Sequence, residues 1–312
     1  MNFKLDLQIP KADFNLQHGE GILFLGSCFS DEMAEKAKFH GLNVKANHFG
    51  TVFHSSLLSR FIEESIDGVE EERIFNRNDI FLSWDANSTV FDFSKNELST
   101  KLSKLRSDFK SELKTTKVIY ITFGTAWVYR KIDAGNLVAN CHKVPGNQFV
   151  KELSSIDKLY LEWKSTLDKI RTVNSELEIV FTVSPVRHSR DGLIENNQSK
   201  AILIELIRRL TSDFKCSYFP SYEIVIDELR DYRFFKLDRV HPSEEAIEYV
   251  WKKFEACYCN EETINLNSKV SNFRRTLAHR SIHEGSQENK GQKIQFEIQL
   301  KEFLNKFSQI QF

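Results

Sequence analysis

The sequence has no run of the ~20 apolar residues that a membrane-spanning helix needs, and its first residues lack the apolar core of a signal peptide. Its five cysteines are an odd number in a chain of 312 residues, which predicts reduced thiols rather than a disulfide framework. Neither sign of charge is in excess, because 43 Lys and Arg residues face 44 Asp and Glu residues. We therefore expect a cytoplasmic protein with no membrane partner and no nucleic-acid partner.

Motifs that bind common cofactors are missing as well. Neither G-x-G-x-x-G nor G-x-x-x-x-G-K-[ST] occurs, which argues against a nucleotide cofactor. No H-E-x-x-H or comparable spacing of metal ligands occurs, and the pair Cys257 and Cys259 lacks the second pair of a zinc site. The sequence therefore predicts a protein without a cofactor and without a metal.

Three short apolar runs, rich in β-branched and aromatic residues, predict strands that are buried on both faces. These runs are residues 21–25, 118–123 and 177–183. Amphipathic stretches with helical periodicity alternate with them, at about residues 31–40, 97–114, 157–173, 199–210 and 243–254. The alternation predicts βαβ units and a doubly wound parallel sheet.

Two regions lie outside this alternation. Residues 80–84 and 89–93, joined by a polar turn, predict an inserted β-hairpin. Beyond about Asn260 the strand and helix pattern weakens, and a polar linker at residues 285–291 precedes a last amphipathic stretch. We predict one large domain over residues 1–260 and a helical C-terminal extension over residues 261–312.

Small and polar residues follow all three predicted strands, and in open α/β sheets ligands bind at this carboxyl edge. After the first strand comes Ser27, whose hydroxyl would lie near the positive end of a helix that begins at about Asp31. Near the other end of the pattern, Asp238 precedes His241 by three residues and can accept the imidazole Nδ1 proton. Taken alone, Ser27 and the Asp238–His241 pair are each more typical of residues that cap a helix. Together they predict a Ser–His–Asp triad.

Several blocks, in order, resemble the GSCFA family. Residues 25–30 (LGSCFS) resemble its G-S-C-F-A signature, and residues 47–52 (NHFGTV) resemble its N-x-F-G-T-V block. Residues 122–129, 138–143 and 184–188 are similar to its later blocks, so the resemblance covers about residues 20–260. That family groups with the SGNH/GDSL hydrolases, whose members mostly cleave or transfer ester-linked acyl groups.

The resemblance implies a three-layer α/β/α, flavodoxin-like fold of the SGNH hydrolase type. It also implies roles for individual residues: Ser27 as nucleophile, His241 as general base and Asp238 as the residue that orients it. The backbone N–H groups of Ser27 and Gly50 would bind the oxyanion. Further residues of these blocks are candidates for substrate contacts, namely Asn47, Gly124, Thr125, His142 and His188. For the two histidines, a structural, hydrogen-bonded role is the alternative.

The chain departs from the usual SGNH blocks at two places. The block that normally supplies an Asn donor to the oxyanion is GTAW here, at residues 124–127, so Asn140 or Thr125 is the candidate donor. The usual nucleophile block has Gly two residues before Ser, whereas Gly26 is adjacent to Ser27. Cys28, at a helix N-terminus, is therefore an alternative nucleophile. We favour Ser27, because the resemblance assigns it to the strand end.

The predicted activity is that of an esterase that cleaves O-acyl, acetyl-like esters through an acyl-enzyme. The expected partner is a small-molecule or glycan ester. An acyltransferase is one alternative. A glycan-binding protein that has kept the fold and lost the chemistry is another.

Overall fold

A computed structural model of the chain describes residues 5–278 and 287–312. In chain order its strands are β1 (Gly21–Gly26), β2 (Asn43–Ala46), β3 (Ile74–Arg77), β4 (Ile80–Ser83), β5 (Phe91–Asp92), β6 (Thr116–Phe123), β7 (Trp127–Lys131), β8 (Leu137–Val138), β9 (Phe149–Leu153), β10 (Glu178–Val183) and β11 (Ser217–Tyr218). Its α-helices are α1 (Cys28–Phe39), α2 (Ser55–Asp67), α3 (Lys95–Thr115), α4 (Ile156–Val173), α5 (Leu193–Asp213), α6 (Ser221–Glu223), α7 (Glu244–Tyr258), α8 (Glu261–Ala278) and α9 (Gln287–Lys306).

The central sheet is parallel throughout and has five strands in the order β11-β10-β6-β1-β2. Counting only these strands along the chain gives the order 2-1-3-4-5, which is that of flavodoxin-like doubly wound sheets. In such a sheet the chain reverses its direction of winding between β1 and β6, and ligands bind in the crevice outside their carboxyl ends. The predicted doubly wound parallel sheet is confirmed.

Helices cover both faces of the sheet, because side chains alternate between the faces along each strand. Ile22 and Phe24 of β1 pack with α1 and α7, whereas Leu23 and Leu25 pack with α2, α3, α4 and α5. The two cores on either side of the sheet give the predicted three layers of α, β and α.

The three predicted strands are β1, β6 and β10, and the five predicted helices are α1, α3, α4, α5 and α7. Helix α2 was not predicted, although Leu57, Leu58, Phe61 and Ile62 are buried with the spacing of a helix face. The short antiparallel sheet β8-β7-β9 was not predicted either. Its strands have mixed polar and apolar residues rather than an apolar run.

The predicted hairpin is present as β4 and β5, where Leu82 pairs with Phe91. The insertion is larger than predicted, because β3 joins the other edge of β4. Asn78 turns the chain between these two strands with a φ of +54°, which asparagine tolerates better than most residues.

Helices α8 and α9 follow the α/β layers. Thr263 of α8 donates a hydrogen bond to the Leu16 carbonyl at 2.9 Å, and Arg274 donates one to the Lys38 carbonyl at 2.6 Å. Residues 285 and 286 of the predicted linker lie outside the described residues, whereas residues 287–291 belong to α9. In residues 5–278 and 287–312, no helix has both the length and the apolar character of a membrane span.

Candidate active site

The turn after β1 depends on Gly26. Its φ is +124°, in a region that residues with a side chain rarely adopt, and a Cβ there would lie 2.1 Å from the Thr122 carbonyl oxygen. The next residue, Ser27, is the N-cap of α1, and its Oγ accepts the Phe29 N–H at 3.3 Å. The Ser27 N–H donates to the Thr122 carbonyl at 3.3 Å, and the residue is only 1% exposed. The backbone N–H and the hydroxyl group of Ser27 therefore both help to hold the turn together.

A cleft of about 720 Å³ opens beside this turn, at the carboxyl edge of the sheet. Cys28, the first residue of α1, lines it together with Asp238 and His241. Ser27 is not among its lining residues. The β1–α1 turn and the Asp238–His241 pair thus border one cleft, with Cys28 rather than Ser27 on its surface.

Asp238 and His241 form a hydrogen-bonded pair in the loop before α7. The His241 Nδ1–H group donates to Asp238 Oδ2 at 2.7 Å, and Asp238 Oδ1 accepts the N–H groups of Val240 and His241 at 2.9 and 3.0 Å. These two backbone bonds and then the imidazole lower the pKa of Asp238 to about 2. Asp238 therefore remains a carboxylate that orients the His241 ring, as expected from the spacing.

The Cys28 thiol has competing charges around it. Burial raises its pKa, and the carboxylates of Asp31 and Glu32 raise it further, while its own backbone N–H and the Lys200 ammonium lower it. The raising effects are larger, so the thiol form predominates at neutral pH. Cys28 therefore requires a base to become a nucleophile.

Lys200 lies under the cleft, at the carboxyl ends of two neighbouring strands. The side chain comes from α5, is 1% exposed, and donates hydrogen bonds of 2.7 Å to the carbonyl oxygens of Gly124 and Ser184. Burial lowers its pKa to about 7. The ammonium group thus holds the ends of β6 and β10 together and carries a proton that is easily lost.

Replacing Lys200 with methionine tests this buried charge. The pKa of Lys200 falls from 10.5 to about 7 on folding, so the unfolded chain binds more protons between these values. The contribution of Lys200 to stability is therefore lowest below pH 7 and rises with pH up to about 10.5. Relative to Lys200→Met, we expect the unfolding free energy of the wild-type protein to rise by about 2 kcal/mol between about pH 7 and pH 9.

Urea denaturation of both proteins across this pH range measures the difference. Lys164→Met is the matched control, because it removes an exposed lysine from α4. If the difference in unfolding free energy between wild type and Lys200→Met did not change with pH, the lowered pKa of the buried Lys200 would be contradicted.

Two residues predicted to act in the site instead support the turn. Asn47 accepts the Gly26 N–H with Oδ1 at 2.8 Å and donates from Nδ2 to Asp31 at 2.7 Å. The N–H of Gly50, predicted to bind the oxyanion, already donates to the Asn47 carbonyl at 2.7 Å. Neither residue lines the cleft, so the structure does not support a direct contact of either with substrate.

The block that replaces the usual Asn-containing segment is held by Phe53. The N–H groups of Gly124 and Thr125 both donate to the Phe53 carbonyl, at 2.9 and 3.1 Å. Thr125 lines the cleft, but Gly124 does not. Asn140 also lines the cleft, and its Oδ1 accepts the His142 N–H at 2.7 Å. This bond orients the amide and leaves Nδ2 of Asn140 as a donor.

The two histidines of the family-like blocks have different positions. The His142 ring is buried between the Ser83 carbonyl and the Ser88 hydroxyl, at 2.8 and 2.9 Å, and is not a cleft residue. The predicted substrate contact of His142 is therefore not supported, and the structural alternative fits. His188 does line the cleft, and among the described residues its buried Nε2 has no hydrogen-bond partner. Burial, followed by the Lys200 charge, lowers the pKa of His188 to about 4, so the ring is neutral at physiological pH.

Residues 21–254 match the family described as GSCFA. The chain belongs to the GSCFA family. No curated protein matches it. Within the described residues of this GSCFA protein, no group of three or more His, Cys, Asp and Glu side chains is placed to hold a metal ion.

The solved structures that match this GSCFA protein have low sequence identity to it. One is a carbohydrate esterase family 3 from Talaromyces cellulolyticus, with 7% identity, a TM-score of 0.38, and coverage of 80% of this chain and 99% of that chain. Another is a family two carbohydrate esterase from Clostridium thermocellum in complex with cellohexaose, with 12% identity, a TM-score of 0.39, and coverage of 81% and 65%. A third is the lipase Lip_vut3 from a goat rumen metagenome, with 13% identity, a TM-score of 0.38, and coverage of 77% and 99%.

The sequence analysis did not single out Lys200, and it placed Cys28 after Ser27 as a candidate nucleophile. The position of each residue could nevertheless have been inferred from the sequence. Lys200 precedes Leu203 and Ile207 by three and seven residues, so it lies on the buried face of its helix. Cys28 is two residues after Gly26, which is the spacing that the usual SGNH block has between Gly and its nucleophile. The departure at Gly26 from the usual block was therefore an indication of Cys28, one residue after Ser27.

Proposed function

We propose that this GSCFA protein hydrolyses O-acyl esters through a covalent acyl-enzyme. The observation that carries the proposal is the Asp238–His241 pair, whose 2.7 Å hydrogen bond lies in the same cleft as the β1–α1 turn. A histidine oriented by a carboxylate and facing a nucleophilic side chain is the arrangement that acyl transfer requires.

In the proposed reaction, His241 removes the proton of the nucleophile in the β1–α1 turn as this atom attacks the ester carbonyl. Asp238, with its lowered pKa, remains ionised and stabilises the imidazolium. The tetrahedral intermediate collapses, and His241 gives the proton to the departing alcohol. Water then attacks the acyl-enzyme with His241 again as base, which releases the carboxylic acid and restores the thiol or hydroxyl group.

Two donors are available for the oxyanion. One is the backbone N–H of Cys28 at the N-terminus of α1, and the other is Nδ2 of Asn140. Losing one such donor typically costs about 3 kcal/mol in transition-state stabilisation. Asn140 would thus take the part of the Asn that the 124–127 segment lacks, as the sequence suggested.

The lining of the cleft favours an acyl ester of a polar alcohol, such as a carbohydrate. Phe53, Trp127 and Tyr129 supply aromatic faces on which a sugar ring can pack. The neutral His188 supplies an imidazole nitrogen without a partner among the described residues. Such a mixture of aromatic walls and few polar groups is typical of a small-molecule site.

The proposal is tested with the full chain and p-nitrophenyl acetate, followed by an acetylated oligosaccharide. We expect turnover at least about 10³-fold above the uncatalysed rate. Acid quenching should trap one acetyl group per chain, and intact mass spectrometry measures it. Adding a second alcohol separates hydrolysis from acyl transfer. Neither turnover nor a trapped acyl group on any of these esters would refute the proposed function.

A further inference from the structure

Two adjacent side chains in the β1–α1 turn carry a nucleophilic atom, Ser27 Oγ and Cys28 Sγ. We infer that Cys28, rather than Ser27, is the nucleophile of this site, so that the covalent intermediate is a thioester. The inference rests on the proposed function and adds the identity of the attacking atom.

The position of each residue in α1 separates the two candidates. As N-cap, Ser27 directs Oγ back over the first turn to the Phe29 N–H, at 3.3 Å. To attack a substrate, it would have to leave this cap and a position that is 1% exposed. Cys28 is the next residue, has no capping role, and lines the cleft with Asp238 and His241.

The groups around Cys28 keep it as a thiol until a base removes its proton. Asp31 and Glu32, in the first turns of α1, disfavour the thiolate together with burial, so the resting group is a thiol. Lys200, anchored under the cleft by two carbonyls, favours the thiolate once it forms.

The backbone supports the same assignment. The Ser27 N–H is already donated to the Thr122 carbonyl, whereas the Cys28 N–H lies beside its own sulfur. An oxyanion formed by attack of Sγ would thus form next to a donor on the attacking residue itself.

Each step balances in atoms and protons. His241 takes the Cys28 proton, Sγ bonds to the acyl carbon, and the ester C–O bond breaks as His241 protonates the alcohol. Water then gives a proton to His241 and its oxygen to the acyl carbon, the C–S bond breaks, and the thiol recovers its proton. No oxidant or reductant takes part.

Four variants of the full chain test the assignment: Cys28→Ala, Cys28→Ser, Ser27→Ala and His241→Gln. With p-nitrophenyl acetate we expect Cys28→Ala to lose at least about 10³-fold in kcat, and Ser27→Ala to remain within about tenfold of wild type. Cys28→Ser should keep part of the acylation, now on oxygen. Circular dichroism and thermal melts show that each variant is folded, which matters for Ser27→Ala because it removes a helix cap.

The trapped acyl group gives a second readout. Peptide mapping should locate it on the peptide with Cys28, and neutral hydroxylamine should release it rapidly from wild type but slowly from Cys28→Ser, since thioesters react faster than oxygen esters. Cys141→Ala is the matched thiol control, because Cys141 lines the same cleft and its replacement should leave the Cys28 adduct in place.

The outcomes separate this inference from the proposed function. Loss of turnover in Ser27→Ala and His241→Gln, with Cys28→Ala like wild type, would overturn the thiol assignment and leave the esterase proposal standing. Wild-type turnover in all four variants, or no turnover and no adduct in the wild type, would overturn both.

Discussion

Replacing His241 with glutamine should lower kcat for acyl esters by about 10³–10⁴-fold, with a smaller change in KM. Glutamine has a similar size and can still donate a hydrogen bond to Asp238, but it cannot accept the proton of the nucleophile at neutral pH. Because the His241 side chain is 41% exposed on a loop, the fold should not be affected. Steady-state kinetics with p-nitrophenyl acetate measure the loss.

Leu237→Ala is the matched control for this experiment. Leu237 lies in the same loop, is 92% exposed and does not line the cleft, so turnover should equal that of wild type. Asp238→Asn should lose activity as well, and the double variant should lose little more than His241→Gln, because the pair acts as a unit. Equal activity of His241→Gln and Leu237→Ala would contradict a role of His241 as base.

Replacing Gly26 with alanine should lower the free energy of unfolding by at least about 4 kcal/mol. Two effects add at this position: the φ of +124°, and a Cβ placed 2.1 Å from the Thr122 carbonyl oxygen. The oxygen belongs to the backbone of β6, which pairs with a strand on each side and so has little freedom to move. Urea denaturation, or the loss of soluble protein, measures the effect.

Gly68→Ala separates backbone strain from the steric clash. Gly68 has a φ of +94°, but in the described residues no heavy atom lies within 4 Å of a Cβ built there. We expect it to cost about 1–3 kcal/mol from strain alone. If Gly26→Ala were no more destabilising than Gly68→Ala, the close approach of β1 and β6 would not be what requires this glycine.

Hydrophobic patterning was sufficient to predict the three inner strands of the central sheet and most of its helices, but not the edge strands β2 and β11. The runs at residues 21–25, 118–123 and 177–183 are apolar on both faces, because the strands β1, β6 and β10 are covered by helices on both sides. The sheet of β7, β8 and β9 was not predictable in this way. Its strands are short and partly exposed, so each lacks an apolar run of its own.

The local part of the candidate site could also be derived from the sequence. Asp238 and His241 are three residues apart, and a short loop is enough to bring a carboxylate and an imidazole of that spacing together. The resemblance to the GSCFA family added the turn after the first strand. For that turn it favoured Ser27 as the nucleophile, where we propose Cys28.

Tertiary structure was needed to show that Ser27 caps α1 whereas Cys28 lines the cleft. A shift of one residue at a helix N-terminus decides whether a side chain folds back to cap the first turn or faces the cleft, and residue type does not determine it. The position of Lys200 in the site also depends on the folded sheet, but for a different reason. Its partners, the carbonyls of Gly124 and Ser184, are 76 and 16 residues away in the chain and meet only where β6 and β10 end side by side. Periodicity could assign Lys200 to a buried helix face, but only the parallel pairing of distant strands places its charge beneath the cleft.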